Sequence, residues 1–254
     1  MSTISVVIPA LNDAEFLRSC LAALELQSRP ADEIIVVDNG STDATADVAR
    51  AAGARLLHEP QRGIFPATAT GFDAAAGDII ARLDADSVPP CDWLERIETA
   101  LDPLMTPAAV TGPAEFYGAN RVACWVGRHV YLGIYFRGIA ALLGHSPVFG
   151  SNFAMHRELW LLTRDRAHRD LRRVHDDFDF SVNLPPGSTV VFDRDLVVAV
   201  SARPLLSWEA LGKRISLAYY TLAINARERS FRARRADHRA AVWQGHDVVD
   251  SAAG

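Results

Sequence analysis

Cysteine is scarce in this sequence. Its 254 residues include three cysteines, Cys20, Cys91 and Cys124, which are far apart and odd in number. This spacing fits neither a disulfide framework nor a zinc site. We therefore expect a protein of a reducing compartment, the cytoplasm.

An excess of positive charge is also missing. The formal net charge is −5, which excludes binding of nucleic acid by overall electrostatics. No basic leader precedes the strand-like run at Ile4–Ile8, so we expect no signal peptide. The apolar stretch Val122–Leu143 is interrupted by Arg128, His129 and Arg137, and charges at mid-span are costly in lipid. It predicts a buried or surface-lying helix.

The first hundred residues alternate between strand and helix patterns. Strands are predicted at residues 4–8, 33–38, 55–58 and 79–83, and helices at 14–27, 42–52, 65–76 and 92–101. Repeated units of this length predict an α/β fold, with a mostly parallel central sheet and helices on both faces. Ligands of such sheets bind beyond the carboxyl ends of the strands. Asp38, Asp84 and the loop of residues 10–13 should therefore meet at one edge.

The second half is less regular. We predict a strand over residues 109–116, a helix over 121–143, a strand pair at 189–192 and 196–200, and a helix from Trp208. No internal repeat and no linker rich in glycine or serine marks a domain boundary.

The segment Asp84-Ala-Asp86 directly follows an apolar strand. Two carboxylates at i and i+2 can approach one Mn²⁺ or Mg²⁺ ion together with the diphosphate that the ion binds. The alternative is a solvated turn, and an isolated Asp-x-Asp carries little information.

A second acidic position is Asp38, at the end of the strand before Gly40 and the capping residues 41–43. Its carboxylate can accept a hydrogen bond from a nucleobase imide. Helix capping alone is the other interpretation.

The third acidic segment is His175-Asp-Asp-Phe-Asp179. Mutual repulsion raises the pKa of clustered carboxylates toward the range of a general base. An exposed helix start would equally favour aspartate.

Together these segments resemble the family 2 glycosyltransferases of the GT-A fold. The resemblance runs over residues 3–203, through SVVIPALND, EIIVVDNGSTDAT, GDIIARLDADSVPPCDWL, GSNFAMHRE and HDDFDFSVNL. It implies transfer of a sugar from a nucleoside-diphosphate donor, most often linked to UDP or GDP, to an acceptor hydroxyl. It also implies a Rossmann-like sheet and Mn²⁺ or Mg²⁺ as cofactor.

The resemblance also implies roles for individual residues. Pro9, Ala10, Asn12 and Asp38 should hold the nucleobase and the ribose. Asp84 should contact the ribose or the metal, and Asp86 should bind the metal. Asp177 corresponds to the catalytic base and Asp176 to the glutamate before it, in a single displacement with inversion at the anomeric carbon.

The sequence departs from the family pattern at three places. Ala67-Thr-Ala69 replaces an Ala-Arg-Asn stretch, and Asp176 is shorter than the usual glutamate. A late metal-binding histidine is absent, since the matching stretch ends in Arg203. Arg203 could neutralise the diphosphate or could be a surface arginine.

Two other functions stay open from the sequence. A sugar nucleotidyltransferase would need a glycine-rich basic loop after the first strand, where this chain has Pro-Ala-Leu-Asn-Asp. A non-catalytic protein that binds nucleotide sugars is compatible with the three departures.

We divide the chain into a glycosyltransferase domain of residues 1–205 and a C-terminal helix and arginine-rich tail of residues 206–254. Within the domain, residues 1–105 form the nucleotide-sugar half and 106–205 the acceptor half. Residues 227–239 contain six arginines and two acidic residues, a net charge of +4. This tail and the aromatic stretch at 122–143 suit peripheral contact with an anionic membrane at its cytoplasmic face, with a lipid-linked acceptor as one option.

Overall fold

The computed structural model describes residues 1–104, 107–203 and 206–252. The predicted divisions at 105/106 and at 205 fall on residues outside these ranges. The strands are β1 (Ile4–Ala10), β2 (Glu33–Asp38), β3 (Arg55–His58), β4 (Ile79–Arg82), β5 (Ser87–Val88), β6 (Ala108–Thr111), β7 (Ala114–Tyr117), β8 (Phe153–His156), β9 (Thr189–Phe192) and β10 (Val198–Ser201).

The helices alternate with these strands in the first half and dominate the C-terminal part. They are α1 (Ala14–Glu25), α2 (Thr45–Ala51), α3 (Ile64–Ala74), α4 (Trp93–Leu101), α5 (Arg121–Val126), α6 (Leu132–Leu143), α7 (Arg157–Thr163), α8 (Asp176–Asn183), α9 (Trp208–Glu228) and α10 (Phe231–Ala252). A π-helical segment, Gly127–Tyr131, joins α5 to α6. The arginine-rich residues 227–239 thus lie at the end of α9, in the connection at 229–230 and in α10.

Within the described ranges, seven strands form the main sheet in the order β3-β2-β1-β4-β8-β6-β9. The first four run parallel, and β8 is antiparallel to both of its neighbours. Alternate residues of β1 point into two separate cores: Val6 packs with α1, α2 and α4, and Val7 with α3, α7 and α8. This confirms the predicted mostly parallel sheet covered by helices on both faces.

The prediction of one continuous strand over 109–116 was wrong, because this segment forms two strands. Gly112 and Pro113 end β6, and β7 continues into a second sheet of order β5-β10-β7. Proline cannot donate the backbone hydrogen bond that an uninterrupted strand would need there.

The predicted pair at 189–192 and 196–200 also needs correction, because these strands do not pair with each other. β9 lies parallel to β6 in the main sheet, while β10 lies parallel to β7 in the small one. The chain therefore passes from the main sheet to the small sheet between β9 and β10, as it does between β6 and β7. As a result, the end of β10 lies near the loop that follows β4.

The apolar segment at 121–143 lies on the surface with two different faces. Tyr131 and Tyr135 face a cavity, and the Tyr135 hydroxyl donates to the Val148 carbonyl at 2.6 Å. The opposite face exposes a stripe of apolar side chains, Val122, Trp125, Val126, Val130 and Ile134. No helix in the described part of the chain is apolar over a length that would cross a bilayer.

Candidate active site

A cavity of about 740 Å³ opens at the carboxyl edge of the parallel strands. Its wall brings together the end of β1, the Asp-x-Asp segment after β4 and the start of α8. This is the edge at which the sequence placed its ligand site, because parallel strands present their carboxyl ends together.

Asp84 is held from two sides. Its Oδ1 accepts from Arg82 Nη2 at 2.9 Å, and its Oδ2 accepts from the Ser151 hydroxyl at 2.5 Å. Ser151 belongs to the loop before β8, so this loop is fastened to the Asp-x-Asp segment.

Arg82 links the two acidic parts of the cavity. Its side chain is 2% exposed, and Nη2 also lies 2.8 Å from Asp176 Oδ2. Gly150 makes room for it, because a Cβ atom at that position would stand 1.9 Å from Arg82 Nη1. A buried arginine between Asp84 and Asp176 neutralises part of their charge, which burial would otherwise make costly.

Asp86 faces a different cation. Its Oδ2 lies 3.0 Å from Arg203 Nη2, while Arg203 Nη1 lies 2.9 Å from Asp13 Oδ1. The guanidinium also stacks over the Phe16 ring at 3.8 Å. Arg203, predicted either for the diphosphate or for the open surface, thus lines the cavity and touches the predicted metal ligand.

Burial and the nearby Asp84 raise the pKa of Asp86 to about 6, although Arg203 opposes this shift. The raised pKa shows that the negative charge of Asp86 is destabilised, mainly by burial and further by the neighbouring Asp84. A divalent cation with oxygen ligands would relieve this destabilisation, so these residues fit the Mn²⁺ or Mg²⁺ that the sequence predicts.

The start of α8 presents a compact cluster. Ligand-type atoms of His175, Asp176 and Asp177 all lie within 4.8 Å of one another, the one such group of histidine, cysteine and acidic side chains among the described residues. Asp176 faces the positive charge of Arg82, and Asp177 faces His175, whose ring is positively charged when protonated. Both aspartates also lie in the first turn, where the helix dipole stabilises negative charge.

The pKa values of the two aspartates at the start of α8 are shifted in opposite directions. Burial raises the pKa of Asp176 more strongly than Arg82 lowers it. For Asp177 the same burial effect is outweighed by His175, Arg82 and the Gly150 N–H, and the pKa falls to about 2. Asp177 is therefore ionised at neutral pH.

The predicted nucleotide residues divide into two groups. Pro9 and Ala10 line the cavity, whereas Asn12 and Asp38 are not among the described residues of its wall. Asn12 Oδ1 accepts from the Thr42 N–H, and Asp38 Oδ1 from the Ser41 N–H. Both side chains shape the loop after β2, whose Asn39 reaches the wall, and their contact with a nucleotide stays a prediction.

Sequence reasoning missed three arginines of the cavity wall: Arg62, Arg172 and Arg214. Within the described ranges none of them lies within ion-pair distance of a carboxylate. Arg62 donates to the Gly40 carbonyl at 2.9 Å, and Arg214 to the Tyr131 hydroxyl at 3.4 Å. They come from loops and from α9, so no local pattern points to the cavity. Arg82 was also missed, although a charged residue inside an apolar strand was a usable signal.

The departure at Ala67-Thr-Ala69 also lies at the cavity. Ala67 belongs to its wall, and the Thr68 hydroxyl donates to Asp176 Oδ2 at 3.2 Å. Because the side chain at position 68 is short and uncharged, Arg82 is the cation that pairs with Asp176.

Comparison with known proteins agrees with this geometry. The family model described as glycosyl transferase family 2 matches residues 5–161. The chain is 34% identical over 246 residues to the glucosyl-3-phosphoglycerate synthase of Mycolicibacterium smegmatis, covering 83% of this chain and 80% of that protein. It is 40% identical over 101 residues to the glycosyltransferase AglE of Haloferax volcanii, covering 37% of this chain and only 33% of AglE.

Solved structures support the fold. The glucosyl-3-phosphoglycerate synthase of Mycobacterium tuberculosis, in complex with Mn²⁺, UDP and glucosyl-3-phosphoglycerate, superposes with a TM-score of 0.61 at 25% identity, covering 88% of this chain and 80% of that one. Staphylococcus aureus TarS (1–349) shares the fold, with a TM-score of 0.61 at 15% identity and coverage of 89% and 65%. The predicted GT-A type of α/β fold is thereby confirmed, and the chain belongs to glycosyl transferase family 2.

Proposed function

We propose that this glycosyltransferase moves a sugar from a UDP-linked donor to the hydroxyl group of an anionic acceptor, with a divalent cation and with inversion. The observation that carries the proposal is the cavity itself. It joins the strand-end carboxylates Asp84 and Asp86 to the ionised Asp177, with arginines between and around them.

Asp86, with Asp84 beside it, would hold Mn²⁺ or Mg²⁺ against the donor diphosphate. The bound cation supplies charge stabilisation for the departing nucleoside diphosphate. Arg203 lies on the same carboxylate and is placed to share that charge. The Mycobacterium tuberculosis relative binds UDP with Mn²⁺ in one structure and with Mg²⁺ in another, which favours uridine over guanosine for this chain.

An anionic acceptor is supported by the arginines of the cavity wall that have no carboxylate partner. Of the five arginines that line its described part, Arg82 and Arg203 pair with aspartates, and no carboxylate of the described ranges lies within ion-pair distance of the other three. The diphosphate of a nucleotide sugar carries two negative charges, which one divalent cation offsets. Arg62, Arg172 and Arg214 are then left to bind a phosphate or carboxylate of the acceptor. The tuberculosis relative binds phosphoglyceric acid.

The reaction is a single displacement. The acceptor oxygen bonds to the anomeric carbon as the bond from that carbon to the diphosphate oxygen breaks. The ionised Asp177 supplies negative charge that favours removal of the proton from the acceptor hydroxyl.

A transfer assay tests this proposal. UDP- and GDP-linked hexoses are combined with phosphoglycerate, and with glycerol as its uncharged counterpart, in Mn²⁺ or in chelator. We expect metal-dependent transfer from UDP-hexose to phosphoglycerate, with the opposite anomeric configuration in the product by NMR. A product of unchanged configuration would refute the single displacement, and equal transfer to glycerol would refute the anionic acceptor.

We also propose that the exposed apolar stripe of α5–α6 contacts an anionic membrane. Residues 121–143 contain three arginines and no acidic residue, and α10 adds Arg235, whose side chain donates to the Ala141 carbonyl of α6 at 2.6 Å. Apolar side chains flanked by arginines suit the interface of an anionic bilayer. A cytoplasmic enzyme working at that surface could take its acceptor from a lipid headgroup.

A further inference from the structure

The carboxylate of Asp177 has both oxygens engaged. Oδ2 accepts from the Gly150 N–H at 2.7 Å, and Oδ1 lies 2.6 Å from His175 Nδ1. Despite that distance the two atoms are not aligned for a hydrogen bond, and neither has another hydrogen-bond partner within the described ranges. The contact is an ion pair when His175 is protonated. The Asp177 side chain is only 5% exposed, and an acceptor hydroxyl would have to displace one of these partners to reach it.

His175 and Asp177 both line the cavity, and His175 is the more exposed of the two. Its ring is 20% exposed and forms part of the cavity wall. The backbone N–H of His175 donates to the Thr221 hydroxyl at 2.9 Å, which fixes the residue against α9. The second ring nitrogen, Nε2, has no hydrogen-bond partner among the residues that the structure describes.

We propose that His175 accepts the proton of the acceptor hydroxyl and that Asp177 is the positioning carboxylate behind it. This inference rests on the proposed single displacement. As the new bond to the anomeric carbon forms and the nucleoside diphosphate leaves with the electron pair, the hydroxyl proton moves to Nε2 of His175. Asp177 keeps the ring oriented and stabilises the imidazolium, as the carboxylate does in histidine–aspartate pairs of hydrolases.

The electrostatics of the pair agree with this division of roles. A carboxylate with the low pKa of Asp177 is a weak base at neutral pH, and proton transfer is most efficient when the pKa lies near the working pH. Burial lowers the pKa of His175, but Asp177 and Asp176 on α8 outweigh it and raise the pKa above 6.5, with Arg214 of α9 opposing them. Neutral His175 therefore becomes available as the pH rises.

The pH dependence of turnover tests the assignment. In the wild-type enzyme we expect kcat to rise with pH to a plateau, with a midpoint above the ordinary histidine value. His175→Gln should lower kcat by roughly 10²–10⁴-fold and remove this rise, while the donor KM stays near that of the wild type. The matched control is His129→Gln, since His129 is exposed on the segment that joins α5 to α6 and is not part of the described cavity wall; it should keep the rise.

A titration of the histidine by NMR provides a readout that does not depend on turnover. The imidazole pKa of His175 should lie above 6.5 in the wild type and fall in Asp177→Asn. A persistent rise of kcat with pH in His175→Gln, or an imidazole pKa that Asp177→Asn leaves unchanged, would overturn the inference. Wild-type enzyme that transfers no sugar would instead overturn the proposed function, and this inference with it.

Discussion

Asp86 carries a buried negative charge that Arg203 only partly offsets. Asp86→Asn keeps the shape of the side chain and removes the charge, so the fold should persist while Mn²⁺-dependent transfer is lost. The measurement is the sugar-transfer rate against Mn²⁺ concentration, with circular dichroism as a check of folding. Asp47→Asn, at an exposed carboxylate paired with Arg50, is the matched control. Full activity of Asp86→Asn in chelator would refute the metal assignment.

Asp38 holds the loop after β2 by accepting a hydrogen bond from the Ser41 N–H. Asp38→Ala removes the acceptor of the Ser41 N–H and the predicted contact with the nucleobase. A contact made equally in the ground state and the transition state affects KM and not kcat. We expect a higher KM for the donor and a kcat close to that of the wild type. A collapsed kcat with an unchanged KM would show that Asp38 has another role.

At the scale of elements, α8 is joined to α9 by a polar network that is buried at Asp179 and Asn225 and reaches the surface at Glu228. Asp179 Oδ1 accepts from Asn225 Nδ2 at 2.7 Å and lies 2.8 Å from His168 Nδ1, whose other ring nitrogen lies 2.9 Å from Glu228. This network fixes the helix that carries His175, Asp176 and Asp177. It ties this wall of the cavity to the C-terminal helices.

The network should make stability depend on pH. The hydrogen bond with Asp179 raises the pKa of His168 to about 9, with burial opposing and Glu228 adding to the shift. A raised folded-state pKa contributes stability below the unfolded value near 6.5, and this contribution is lost as the pH rises through about 9. The Tm difference between wild type and His168→Gln should therefore shrink from pH 6.5 to pH 9. A constant difference would mean that His168 stabilises by packing alone.

The outer face of α5–α6 gives a second prediction at this scale. Trp125 and Ile134 are 58% and 68% exposed, and burying such side chains in a bilayer interface is favourable. Co-sedimentation with vesicles should require anionic lipid, weaken with salt, and fall both in Trp125→Ala/Ile134→Ser and on deletion of residues 227–254. Leu26→Ser, at an exposed apolar residue after α1, serves as control. No binding to anionic vesicles at low salt would exclude this surface as a membrane contact.

For the whole molecule, donor binding should appear as stabilisation of the fold. A donor at 100 times its dissociation constant adds about 2.7 kcal/mol to the free energy of unfolding. For a chain of this size that corresponds to a rise in Tm of roughly 5–10 °C. A thermal-shift panel of nucleotide sugars with and without Mn²⁺ measures it, and we expect the largest shift for UDP-sugars with metal. An equal rise in Tm in the presence of chelator would show that donor binding does not require the metal.

Sequence patterns determined the layers of this fold. The β-branched runs of β1 and β2 and the helical spacing of α1 repeat at the periods of their elements, so those elements could be predicted locally. Because parallel strands end at one edge, the convergence of the loop after β1 with Asp84 also followed. The five ordered motifs indicated the family before any contact was known.

Tertiary structure alone decided which charged side chains pair in the cavity. Arg203 reaches Asp86 across 117 residues of sequence, and that approach exists because β10 pairs with β5, the strand that directly follows Asp86. Arg82 can link Asp84 to Asp176 only because a glycine at position 150 leaves space beside it. Such pairings depend on where the chain returns, a property that local periodicity does not encode, and so the partner of each charged residue could not be predicted from the sequence.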